Sequence, residues 1–140
     1  MQQAETEAVL ERYYAALQAG DVQGMKDVVS EDIEVIYQDA DGLLPWGGTW
    51  SGFDKFREFL ATVAEHLVIE SVQPLERLFD QDTAIIVLRG VWTSRETERR
   101  VEARVVNIFK VRSGKVAQYQ VFPDTAAFAI AIGRLGNSRS

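Results

Sequence analysis

Cysteine is absent from the sequence and histidine occurs once, at His66. Without cysteine there is no disulfide framework, no thiolate nucleophile and no thiolate metal site. With a single histidine, the two-histidine and histidine-carboxylate spacings of metal centres are missing too, and no metal is expected. His66 itself falls at the end of a helical pattern, where it is expected to interact with the helix dipole. Long apolar runs are also lacking. The longest, such as AIIVL at 84–88, fall far short of the roughly 20 residues that a membrane-spanning helix needs, so no membrane partner is expected. The first twenty residues carry Glu5, Glu7 and Glu11 with neither a basic start nor a continuous apolar stretch, which argues against a secretory signal and for a cytoplasmic home. Basic residues are in the minority, 15 against 21 acidic ones, for a formal charge of −6. A phosphate backbone would be repelled, and no nucleic-acid partner is expected. The nearest thing to a basic stripe, Arg95, Arg99, Arg100 and Arg104, is interleaved with Glu96, Glu98 and Glu102 and reads as a solvated hairpin end. Nucleotide signatures are missing as well: GGTWSG has no lysine for a phosphate loop, and no dinucleotide fingerprint or nucleophile elbow occurs. No cofactor is expected.

What is present is the material of one globular domain over residues 1–140. Hydrophobic residues make up 46% and charged residues 26%, and the length suits one sizeable core. Val9, Leu10, Tyr13, Tyr14 and Leu17 recur at helical spacing between residues 4 and 18. Gly20 ends that helix, and Asp21 is placed to cap a second one through Val29. Ile33, Val35 and Tyr37 alternate with Glu34, Ile36 and Gln38 as a strand. A long loop is expected from Asp39 to Ser51, with Asp39 and Asp41 as solvated turn residues. Ser51 and Asp54 have a capping-box-like spacing before a helix that reaches His66, with Phe53, Phe56, Phe59, Leu60, Val63 and Leu67 as its buried stripe. Strand patterns then cover roughly 68–79, 83–94, 99–112 and 115–122, joined by turn signals short enough for an antiparallel meander. DTAAFAIAIG after Pro123 is a short helix, apolar almost all round, that must lie against something. The result is an α+β architecture with helices packed on the concave face of a curved antiparallel sheet.

Polar residues on apolar faces are the candidates for function. In the strand from Val101, one face reads Val101, Ala103, Val105, Asn107, Phe109 and Val111. Asn107 is a lone amide there, and leaving it unpaired would cost roughly 1–3 kcal/mol. It needs a partner, either an internal polar group or a ligand. Tyr13 and Tyr37 pose the same choice between a core aromatic and a hydroxyl donor to a substrate oxygen. Asp124 precedes the last helix, as an N-cap would, or else as a carboxylate at a cavity rim fit for acid–base work. PWGGTWSGFDKF gathers two tryptophans among glycines, where Trp46 and Trp50 are either core packing or the wall of a pocket.

RYYAALQAGDVQGMKDVVSEDIEV, GGTWSGFDKFREFL and FKVRSGKVAQYQVFPDTAA, in this order, resemble the nuclear transport factor 2-like superfamily. That superfamily is made of cone-shaped α+β domains and includes ketosteroid isomerases and SnoaL-like polyketide cyclases. By this resemblance Tyr13 stands like the tyrosine that donates to the dienolate oxygen of ketosteroid isomerases, and Asn107 like their protonated aspartic acid, a carboxyl held neutral to donate. Tyr37 stands where those enzymes keep their general base, so their familiar mechanism does not carry over. Asp124 is placed like a carboxylate that SnoaL-like proteins use for acid–base chemistry. The resemblance thus implies a cofactor-independent enzyme of isomerase, cyclase or hydrolase type. Asp124 would be its acid–base group, Tyr13, Asn107 and Tyr37 its donors, and Trp46, Trp50, Phe56, Phe59 and Phe128 the wall of an apolar pocket for a carbonyl-bearing molecule. A non-catalytic ligand-binding domain and a dimeric scaffold are the alternatives on the same fold, with pairing of two copies through the sheet implied in either case.

Overall fold

Alternation of apolar and polar residues builds the sheet. The computed structural model describes residues 2–39 and 41–135. In it the strand β5, Arg100–Arg112, buries Val101, Ala103, Val105, Asn107, Phe109 and Val111, the face that the sequence pattern marks as inward. Its neighbours are β4, Thr83–Ser94, and β6, Lys115–Phe122, and the meander begins with β3, Leu67–Asp80. Before it come the helices α1, Gln2–Ala19, and α2, Val22–Val28, then the strands β1, Val29–Tyr37, and β2, Gly48–Ser51, and the helix α3, Phe53–His66. A last helix, α4, covers Thr125–Ala131. The strands form one sheet in the order β2-β1-β6-β5-β4-β3. α1, α3 and α4 pack on the concave face of this sheet.

Three expectations need correction. The long loop is shorter than its sequence suggests, because Gly48–Ser51 pairs antiparallel with β1 as a sixth strand. The sheet is mixed rather than wholly antiparallel: β6 returns to the middle and runs parallel to β1. Ser51 does not cap α3. It stays in the ladder opposite Glu34, and the junction needs a positive φ that Gly52 supplies at 93° as the N-cap residue, without a side-chain cap. Asp21, by contrast, caps α2 as expected, its Oδ1 accepting from Gly24 N at 3.0 Å.

The two ends of the meander behave differently. At its tip the arginine-rich turn is tied down rather than simply solvated: Arg95 donates to Ala64 O and Arg99 to Ile130 O. Along the free edge, β3 is exposed for most of its length, and its register breaks between Ile69 and Ser71 and again between Pro74 and Glu76.

Gly90 on β4 marks a close approach. A methyl group there would overlap Cη2 of Trp92 and stand 2.7 Å from Cζ3, and Trp92 has little room to yield because its ring packs 5.0 Å from Phe128. Gly90→Ala is therefore expected to destabilise the fold by about 1–3 kcal/mol, the usual cost of overpacking, despite alanine's better strand propensity. Urea unfolding checks this, and pairing the change with Trp92→Leu should recover part of the loss. Equal midpoints for Gly90→Ala and the parent would show that the indole is free to move.

Candidate functional site

Strand register sets the inward side chains in rows. One row crosses all six strands as Arg77, Ile86, Asn107, Val121, Tyr37 and Gly48, and the next as Phe79, Ala84, Phe109, Tyr119, Val35 and Trp50. Cross-strand partners share a face, and Ile86, Asn107, Val121 and Tyr37 are all buried. Helix α1 lays two tyrosines over these rows. The ring of Tyr13 lies 5.4 Å from Phe109, 6.3 Å from Tyr119 and 6.4 Å from Phe56, and that of Tyr14 lies 5.9 Å from Phe109. Helix α3 adds Phe59, which lies 6.0 Å from Tyr37, 5.9 Å from Trp50 and 6.3 Å from Tyr119. From Tyr37 the aromatic chain continues to Trp46 at 6.2 Å, and from Trp46 to Phe128 at 6.4 Å.

Within this apolar setting the polar atoms fall into two pairs. The amide of Asn107 lies against the Tyr14 hydroxyl, and the indole of Trp46 against the Tyr37 hydroxyl. Neither pair closes into a well-formed hydrogen bond, and Tyr14 Oη, Asn107 Oδ1 and Trp46 Nε1 are all buried without a partner. Burial raises the pKa of all four tyrosines of the chain above its ordinary value. For Tyr119, the ionised forms of Tyr13, Tyr14 and Tyr37 add a further rise, which places the four hydroxyls around one interior. For Tyr14, the Asn107 amide and then the charge of Arg77 partly oppose the effect of burial. The interior is thus a set of neutral donors. Among the described residues the buried polar side chains are Thr6, Ser94 and Asn107, of which only Asn107 belongs to this interior, and no carboxylate is buried.

The residues singled out in the sequence divide accordingly. Tyr13, Tyr37, Asn107, Trp46, Phe59 and Phe128 meet in the interior, directly or through one aromatic neighbour. Trp46 is 0% exposed and fills space, whereas Trp50 is half-buried and donates from Nε1 to Trp46 O at 3.0 Å. Phe56 forms part of an apolar cleft of about 270 Å3 between α1, α2 and α3, one ring away from Tyr13. Asp124 stands apart: it is exposed, and its Oδ1 accepts from Ala127 N at 3.2 Å as the N-cap of α4. Asp39 is half-buried rather than solvated and accepts from Leu43 N and Leu44 N. Asp41 is exposed, and Ala40 between them lies outside the described residues. His66, the last residue of α3, pairs through Nδ1 with Glu96 at 2.9 Å and sets its ring 5.8 Å from Trp46. No three histidine, aspartate or glutamate side chains converge as a metal site among the described residues. No described helix is long and apolar enough to cross a membrane.

Sequence reasoning missed Tyr14 and Tyr119 as members of the site, and missed Arg77 as the exposed end of the Asn107 row. Tyr14 was legible only as part of a helical stripe. Tyr119 and Arg77 enter through strand register, which depends on pairing between distant segments.

The family model of the SnoaL-like domain matches residues 10–119, from the middle of α1 into β6. This chain belongs to the SnoaL-like domain family. The match takes in all four tyrosines, Asn107 and Arg77, and stops short of Asp124 and Phe128. No curated protein matches the sequence. Among solved structures, an NTF2-like protein from Burkholderia xenovorans is similar with 28% identity and a TM-score of 0.86, over 94% of this chain and 98% of that one. A proposed SnoaL-like polyketide cyclase from a Jannaschia species superposes with a TM-score of 0.78 at 15% identity, over 94% of this chain and 93% of its own. TerC, co-crystallised with polyporic acid, also gives 0.78, at 21% identity over 92% and 98%. The last two likenesses establish the shared cone fold.

The tyrosines of this SnoaL-like domain make its alkaline behaviour testable. Their folded pKa values lie above the unfolded value of about 10, so the folded chain keeps protons that the unfolded chain releases. The stability this contributes is fully present below about pH 10 and is lost as pH rises beyond it. Tyrosinate absorbance should stay flat past that pH and then rise together with loss of the circular dichroism signal. A gradual rise near pH 10 with the fold intact would contradict the desolvated placement.

Proposed function

We propose that the concave interior holds a compact, largely apolar small molecule through a carbonyl-type oxygen, and that it favours the enol or enolate form of that molecule. The observation that carries this reading is the unpaired couple of Asn107 and Tyr14, set among tyrosines that burial keeps protonated. Phenols can donate to an oxygen as negative charge develops on it, and so can the N–H2 of Asn107 once the amide turns to exchange it with the unpaired Oδ1; donors in a water-poor setting act more strongly than in water. Tyr13, Asn107 and Tyr37 are the donors on this reading, joined by Tyr14. Trp46, Trp50, Phe56, Phe59 and Phe128 form the wall, as apolar pockets with few polar groups require. Because Trp46 is fully buried, ligand entry on this reading displaces its indole. The chemistry is cofactor-independent proton transfer of the isomerase or cyclase type, or a related hydrolysis; the similar Jannaschia protein, a proposed polyketide cyclase, supports the cyclase type.

The base for such a transfer is assigned to Asp124, which follows Val121 of the Asn107 row by three residues. A second reading, binding without turnover, is favoured by the cap that Asp124 already forms and by the lack of a carboxylate among the buried residues described. One pair of experiments addresses both. 2-Naphthol, whose hydroxyl stands in for an enol, should bind with micromolar to millimolar affinity by isothermal titration calorimetry. Tyr13→Phe and Asn107→Ala should each weaken it about tenfold, the worth of one good hydrogen bond to a developing charge. No binding, or unchanged affinity in both variants, would remove the site. Asp124→Asn should leave naphthol affinity in place while abolishing turnover of a true substrate. Retained turnover would transfer the base role elsewhere.

We further propose that two copies pair through the convex face of the sheet. Leu78, Ile85, Val87, Val106, Ile108 and Phe122 are cross-strand neighbours on that face, and Leu78 and Phe122 are 55% and 42% exposed. Such a patch is characteristic of an interface. Light scattering should give the mass of a dimer for the parent and of a monomer for Val106→Glu, with unchanged circular dichroism in both. A monomeric parent would refute the pairing.

A further inference from the structure

Arg77 occupies an unusual place. It stands in the same inward row as Asn107, two strands away through Ile86, and it is the one charged residue in that row. Adjacent strands lie about 4.8 Å apart, so the two backbone positions are separated by about 10 Å across the concave face. Between them the residues offered by the sheet and by α1 are Ile86, which is buried and apolar, and Tyr14, whose ionised form the charge of Arg77 favours. The guanidinium group stands over the ring of Phe79, 5.8 Å from its centroid, the inward residue of the next row. That stacking favours this position of the cation over others. Arg77 makes no ion pair and no side-chain hydrogen bond with any described residue, although Glu76 and Asp80 are close in sequence.

An exposed arginine with no partner is ordinary on an outer surface. Here it sits at the end of an aromatic interior, in a chain whose net charge is −6 and on a face whose other members in the row are uncharged. A guanidinium group recognises a planar carboxylate through two parallel N–H donors, which gives orientation as well as affinity. Resting on the site proposed above, we infer that its ligand is an anion: a flat, mainly apolar molecule with a carboxylate at one end, held by Arg77, and a carbonyl or enol oxygen at the other, held by Asn107 and Tyr14. The cation then sets polarity. It admits the ligand in one orientation and places the oxygen to be polarised at the amide.

Two probes of the same ring system test this apart from the site itself. 2-Naphthol carries only the oxygen meant for Asn107, and 6-hydroxy-2-naphthoate adds a carboxylate at the opposite end. The naphthoate is expected to bind the parent at least tenfold more tightly than the naphthol. Arg77→Gln should abolish that advantage while leaving naphthol affinity and the circular dichroism spectrum unchanged, and Arg77→Lys should restore part of it as a point charge. In the parent the advantage should shrink with added salt, because an exposed cation is screened. If naphthol binds but the naphthoate gains nothing, or if the gain survives Arg77→Gln, the inference about Arg77 is overturned and the site stands. If neither probe binds the parent, the site and the inference fall together.

Discussion

The contact of Tyr13 with Phe109, Tyr119 and Phe56 joins three parts of the chain that are far apart in sequence. It binds the first helix to the two central strands and to the third helix, and so helps to close the concave face. A curved sheet with helices on one side leaves a space that grows with its curvature, and large flat side chains are the economical way to fill it. Phe109 and Tyr119 stack across neighbouring strands with centroids 4.9 Å apart, Phe59 spans from Tyr119 to Tyr37, and Trp46 takes the space beyond. The hydroxyls and the indole N–H of the interior therefore ride on an aromatic framework, reaching the centre because the rings that carry them were needed there for packing, while the one amide, Asn107, comes from the inward face of β5.

Period-two and helical patterns made most of the architecture legible. β4 and β6 run from Thr83 to Ser94 and from Lys115 to Phe122, as their alternation and turn signals indicate, and α3 ends at His66 as expected, although Leu67, counted in its stripe, opens β3. What escaped was non-local. β2 has four residues, two of its neighbours being glycines, and its only distinguishing property is the partner it finds in β1. The parallel pairing of β1 and β6 is likewise set by what lies between them. At Ser51 a local rule failed because two demands met at one point: the ladder required Ser51 to stay extended, and the turn required a positive φ that glycine tolerates best.

The candidate site was read unevenly for a related reason. A lone amide on an apolar strand face is conspicuous in any sequence, so Asn107 could be found. Tyr14 was hidden beside Tyr13, since consecutive helical residues point in different directions and the pattern could not say that both faced the interior. Arg77 lies in a strand that is exposed along most of its length, with two register breaks, and alternation loses count there. Asp124 shows the converse: its position before a helix fitted a cap and a catalytic carboxylate equally well, and in the structure its carboxylate fills the cap.

The breaks in β3 have a consequence for the molecule among its own kind. β3 is the free edge of the sheet, 14 residues long, with Ile69, Val72, Leu75 and Leu78 exposed. An unbroken strand of that length and character would be an open template on which further chains could add. Two shifts of register and the missing N–H of Pro74 divide it into short segments that no straight strand can follow. The edge is therefore protected by irregularity together with its exposed charges Glu70, Glu76, Arg77 and Asp80, and straightening it would open a template for fibre formation.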